Sequence, residues 1–262
     1  MFTVVAFYKP DVGTTLTPIP PVKDEHIVWY ADSIRVPELN KLLAIWVYGT
    51  NVGQVRLVSP SLRADWLEDV PTFLVGDTLP QVQPVNEGGS GVYKVELDYA
   101  ICDYGSSPLE LTAGERFSVE AAAASGTTPV YVVCWFGDGV PSPVTGRIRT
   151  MRAALVCNTT PNEWSSATLV LGQALAVGTY SLVGLSVPVP GVLAARTIFS
   201  GQWWRPGVPG QTSVSVPLPH KFAVGSMGAF GSFTNETVPQ LELLTTANVT
   251  AGTCYLSLIK TA

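Results

Sequence analysis

The sequence predicts an all-β chain made of two tandem β-sandwiches. Its 24 Gly and 21 Pro are spread over the whole of its 262 residues. That punctuation is too dense for long helices and suits short strands joined by turns. Apolar residues make up 47% and charged residues 13%, which supplies a core and excludes a disordered, solvating chain. Runs rich in Val, Ile, Tyr, Phe and Thr recur between clusters of Gly, Pro, Asn and Ser, the pattern of strands separated by turns.

In chain order the expected strands are Thr3–Tyr8, His26–Tyr30, Leu43–Tyr48, Val52–Val58, Val92–Cys102, Arg116–Ala123 and Val130–Phe136. A second series follows at Ile148–Cys157, Ala167–Leu171, Tyr180–Val187, Thr197–Trp203, Thr212–Val216, Gln240–Thr245 and Cys254–Lys260. Alternation is clearest where Val92, Lys94, Glu96 and Asp98 fall on one side and Tyr93, Val95, Leu97 and Tyr99 on the other, as in a half-buried antiparallel strand. Phe117, Val119 and Ala121 alternate in the same way with Ser118 and Glu120. One segment departs from the pattern. From Ser59 to Pro71, Leu62, Trp66, Leu67 and Val70 fall at helical spacing, with Ser59 or Ser61 as cap. A short helix in an inter-strand loop is expected there.

A weak internal repeat divides the chain. Ser33–Leu39 can be laid without gaps on Ser186–Val192, and the same register places Ile45-Trp46 on Ile198-Phe199. Phe117–Ala121 followed by Val130–Trp135, and Gln240–Leu244 followed by Thr253–Leu258, read as matching terminal hairpins. The turn-rich stretch Gly137–Val144 is the expected boundary, giving domains of residues 1–140 and 141–262. Each is the size of one eight-stranded jelly roll. The expected fold is therefore a double jelly roll, its first domain led by an extended arm around Thr15–Val22.

Low charge leaves broad, weakly polar surface, which points to assembly with other protein. The net charge of −5 and the scattered Lys and Arg lack the basic surplus that nucleic-acid binding needs. Cys102, Cys134, Cys157 and Cys254 show no CxxC spacing and read as buried free thiols, with one disulfide left open. The N-terminal apolar run is broken at Lys9 and Pro10, so no signal peptide is expected. Trp164 to Ala195 carries no charge, yet its Gly, Pro and Ser divide it into short strands and not one membrane span.

Two tandem jelly rolls in one chain, with a short helix in an inter-strand loop, resemble the double jelly-roll major capsid proteins of tailless icosahedral viruses. The resemblance is architectural and covers nearly the whole chain. It implies a structural protein of the virion that assembles as pseudo-hexameric homotrimers and neighbouring capsomers. It also implies other capsid proteins, such as a vertex protein, as partners, and leaves room for an internal membrane.

No catalytic, cofactor or metal site is expected. His26 and His220 lie in different halves, which leaves a His-based metal site or a Ser-His-Asp relay hard to build. No GxSxG, P-loop, GxGxxG or HExxH pattern occurs. Asn86–Gly91 reads as a flexible turn, with no GK[ST] after it. Glu96 with Asp98, and Asp65 with Glu68 and Asp69, read as solvated faces and not as a glycosidase pair. Trp203 and Trp204 form the one unusual aromatic pair, suited to anchoring an interface or stacking on a sugar. Sequons stand at Asn158, Asn235 and Asn248. The alternative function is a carbohydrate-binding or receptor-binding β-sandwich, such as a viral spike or secreted adhesin.

Overall fold

The structure is a computed structural model and describes residues 1–49, 51–65, 72–74, 101–104, 107–210 and 225–262. It is nearly all β, with several antiparallel sheets and one short helix among the described residues. The chain divides into two compact units, Val5–Val140 and Pro141–Ala262, and residues Met1–Val4 belong to the latter.

The first unit contains β1 (Phe2–Val12, which begins within the other unit), β2 (Thr17–Ile19), β3 (Ile34–Arg35), β4 (Lys41–Tyr48), β5 (Val52–Val58) and α1 (Pro60–Asp65). It continues with β6 (Thr72–Leu74), β7 (Ile101–Asp103), β8 (Leu109–Glu110), β9 (Arg116–Ala123) and β10 (Thr128–Gly137). One sheet runs β1-β10-β4-β7, with β8 on β4, and the other runs β2-β9-β5-β6, with β3 on β9. The sheets meet at Phe117 of β9, whose ring lies 5.4 Å from Phe136 of β10, edge to face, and 6.1 Å from Phe7 of β1. Each of these contacts joins the two layers. In β4 and β10 consecutive residues are buried, Leu42–Trp46 and Val130–Phe136, so both faces of that sheet are covered. Their nearly unbroken apolar sequence follows from this.

The helix α1 is short, and its cap comes from far along the chain. The Glu115 carboxylate accepts from the hydroxyls of Ser59 and Ser61 and from the Ser61 backbone N–H. An anion at the open N–H groups of a first turn is the favourable arrangement. Of the expected helix only this first part lies within the described residues, with Leu62 buried.

The second unit holds β11 (Arg149–Cys157), β12 (Trp164–Leu171), β13 (Thr179–Ser186), β14 (Val192–Ile198), β15 (Gly207–Pro209), β16 (Gly231–Thr234), β17 (Gln240–Thr245) and β18 (Ala251–Lys260). They form one continuous order, β15-β14-β17-β12-β11-β18-β13-β16. The uncharged stretch from Trp164 to Ala195 is spent on β12, β13 and the start of β14, and no helix among the described residues is long and apolar enough to cross a membrane. In β11 the side chains of Met151, Ala153 and Leu155 are buried, while Arg152, Ala154 and Val156 are exposed. This alternation gives the unit one inner and one outer face.

Several sequence expectations need correction. The two supposed terminal hairpins do not exist, because β9 and β10 lie in different sheets and β17 and β18 pair with other strands. The polar connections after Ala123 and Thr245 carry the chain from one set of partners to another, where a hairpin would need a tight turn. The repeat register is one strand out. Ile45-Trp46 lies in β4, which pairs with β10, the last strand of its unit, whereas Ile198 ends β14. The strand next to the last one in the second unit, besides β11, is β13. Thr15–Val22 is not a free arm: Thr17–Ile19 pairs with β9, Val22 N–H donates to Ala6 O, and Ile19 is buried. Proline-rich sequence here marks a sheet edge. Pro10, Pro18 and Pro209 all lie in strands at the end of their pairing order, where a missing N–H costs least and further pairing is discouraged. His26–Tyr30 is not a strand beyond an isolated bridge between Trp29 and Ile34. Thr197–Trp203 is replaced by β14, which starts five residues earlier.

Candidate functional site

The Trp203-Trp204 loop is held from both sides. Gly201, at φ 78°, takes the left-handed turn that ends β14, and Gln202 N–H donates to Phe199 O at 3.2 Å. After the tryptophans, Arg205 donates its backbone N–H to Thr3 Oγ1 at 3.0 Å and Nη1 to Gln202 O at 2.8 Å, while Val4 N–H donates to Arg205 O at 2.9 Å. The loop is therefore tied down at both ends. Trp203 is 38% exposed and Trp204 half-buried. Their ring centroids are 6.2 Å apart with planes at 90°. Two perpendicular rings offer no single flat platform for consecutive sugar units; one presented indole on a fixed loop suits an anchor inserted into a partner's pocket.

Beneath this loop lies a buried ion pair that the sequence does not announce. Arg196 of β14 is 1% exposed and donates Nε–H to Glu242 Oε2 of β17 at 2.7 Å. The two residues are direct cross-strand partners. Its Nη1 donates to Val4 O at 3.2 Å, and its guanidinium lies 4.0 Å from the centre of the Trp164 ring. The stacked, paired guanidinium ties Met1–Val4 to the second unit's sheet.

The chain matches no family model, no curated protein and no solved structure.

Among the described residues no group of His, Cys, Asp and Glu is placed to hold a metal ion. His26 is exposed, its backbone N–H donating to Asp24 Oδ1. His220, Glu96, Asp98, Glu68, Asp69, the turn at 86–91 and the expected strand Thr212–Val216 lie outside the described residues, as does most of Val92–Cys102. Of the sequon asparagines, Asn248 donates Nδ2–H to Asn158 Oδ1 and Thr159 O, and Asn235 Oδ1 accepts from Gly178 N–H. Asn248 and Asn235 thus hold turns.

Cys134, Cys157 and Cys254 are free thiols. Burial pushes the Cys134 thiol far up and that of Cys254 up to about 12. In the unfolded chain these thiols ionise near pH ~8.5. Between that pH and about 12 unfolding then releases protons, so stability falls as pH rises. Each thiol contributes a slope of up to about 1.4 kcal/mol per pH unit. Thermal unfolding followed from pH 8 to 11 should show this decline, and Cys254→Ala should flatten it. An unchanged slope in the variant would remove the thiol as its source.

Among the described residues of the first unit lies a cleft of about 350 Å³, lined by Asp32, Ser33, Val58, Ser59, Pro60, Arg116 and Ser118. It forms where the hairpin around residues 28–35, the start of α1 and the first residues of β9 converge. Arg116 stacks its guanidinium 4.4 Å from the centre of the Tyr30 ring.

Proposed function

We propose that the chain is a double jelly-roll structural subunit that assembles as pseudo-hexameric trimers into an icosahedral viral shell, with no catalytic turnover. The observation that carries this reading is strand order. Setting aside the two-residue strands β3 and β8, the eight remaining strands among the described residues of the first unit pair as first-last-third-sixth and second-seventh-fourth-fifth. The second unit's strands follow the same two orders, joined through the pairing of β11 with β12. That order supports two Greek keys wound into a jelly roll, a fold used in viral capsid and lectin domains. Two such units in one chain supply the six near-equivalent blocks of a trimer.

Surface composition supports association. Val28, Val140, Val156, Val170 and Val177 are each more than half exposed. Ala154 stands opposite Val170 on the exposed face of the β11–β12 pair, with Val156 two residues along, so apolar side chains lie together in water unless a partner covers them.

The test is the mass and shape of the purified protein in solution. Native mass spectrometry should show a species of three times 27.9 kDa, and electron microscopy should show hexagonal capsomers, alone or in sheets and shells. A monomer at every concentration, with no lateral assembly, would overturn the reading.

A further inference from the structure

We propose that the cleft of the first unit binds a neutral sugar, one hexose residue of a glycan, held by Asp32 and Arg116. The inference does not rest on the shell role and concerns a site away from Trp203 and Trp204. The argument begins with the lining. Three hydroxyls (Ser33, Ser59 and Ser118), one carboxylate and one guanidinium line the space together with the apolar Val58 and Pro60. At about 350 Å³ the space lies at the small end of ordinary ligand sites, which suits one sugar ring and not an extended peptide.

The polar groups are arranged with capacity to spare. Asp32 uses Oδ1 to accept from the Ser33 hydroxyl at 3.0 Å, which orients the carboxylate. Arg116 is fixed by stacking on Tyr30, an arrangement that spends none of its five N–H donors. No hydrogen bond or ion pair of its guanidinium is formed among the described residues. Ser59 donates to Glu115 and so faces the cleft as an acceptor, while Ser118 is half-buried with its hydroxyl unengaged among the described residues. Adjacent hydroxyls of a sugar each donate and accept. A carboxylate that accepts beside a guanidinium that donates, both held in place, matches such a pair, and the apolar side chains of Val58 and Pro60 take the ring's C–H face.

Charge balance selects the class. The lining holds one positive and one negative side chain. An anionic ligand would gain Arg116 and be repelled by Asp32; a cation would meet the reverse. A neutral polyol meets neither penalty.

Saturation-transfer NMR on the full chain, with glucose, galactose, mannose and N-acetylglucosamine as separate probes and sialic acid and inorganic phosphate as anionic controls, tests this. At least one hexose should give a signal, and Arg116→Ala and Asp32→Asn should each weaken its binding about tenfold or more. Both positions are exposed, so the variants should keep the parent's melting temperature, and Trp203→Ala should leave the signal intact. The proposal is overturned by silence from all four hexoses, by a signal that survives both cleft variants or is lost with Trp203, or by tighter binding of either anion. Solution mass is read separately, so a failure here leaves the assembly result standing on its own.

Discussion

Arg196→Ala should lower the unfolding free energy of the second unit by about 3–5 kcal/mol, because it leaves a mostly buried carboxylate without its partner. Glu242 keeps only 15% of its side chain exposed and has its Oε2 directed at Arg196 Nε at 2.7 Å. The substitution also removes the guanidinium from the Trp164 ring and the donor from Val4 O. Urea unfolding monitored by tryptophan fluorescence gives the measurement. Lys41→Ala is the contrasting control, since its pairing with Glu110 lies at the surface and should yield no measurable change. If Arg196→Ala cost less than about 1 kcal/mol, within the range of exposed pairs, the buried pair would not be holding Met1–Val4 to the second unit's sheet. Arg196→Met should fall between the two outcomes, since it keeps the packed stem but still strands Glu242.

Phe117→Ala should cost the first unit a similar amount, about 3–5 kcal/mol. The side chain is fully buried and is the one that touches Phe7 and Phe136 across the two sheets. Truncation opens a void between layers whose backbones are fixed by their own ladders, so little collapse can refill it. Phe117→Leu should cost markedly less, and the ratio of the two reports how rigid the layers are. Hydrogen exchange at β9 and β10 checks the location: protection should fall in both strands together, and loss confined to β9 would mean that the ring does not couple the sheets.

Much of the strand content was legible. Val52–Val58, Arg116–Ala123 and Gln240–Thr245 appear with the boundaries that alternation and turn residues predict. Failures arose where composition and structure diverge. Thr-Ile-Phe-Ser-Gly-Gln-Trp-Trp is rich in strand-favouring residues, yet Gly201 turns there, while the Ala-rich β14 just before it looks weak and is buried. Strand β2 was hidden because Pro18, Pro20 and Pro21 suggest an arm, and only its place at a sheet edge explains how prolines fit.

The site was less legible than the fold. Trp203 and Trp204 stood out by type, but their perpendicular arrangement depends on Thr3 and Arg205, which are far apart in sequence. Arg196 is the first charge after a long uncharged stretch and Glu242 sits alone among leucines, so isolated charges in apolar runs were the available signal. What joined them was strand pairing. The cleft is less visible still, since its walls come from three separated segments.

The position of β18 beside β11, with Arg149 opposite Leu258, bears on how the protein is made. Almost all of the second unit must leave the ribosome before its first strand can acquire that neighbour. Strands β11 and β12 can pair early, but their open edges then wait, with Ala154, Val156 and Val170 already facing water. Such late closure makes folding slow and exposes the nascent chain to wrong pairings with its copies. Yield should therefore depend more on synthesis rate and temperature than on the stability of the finished fold.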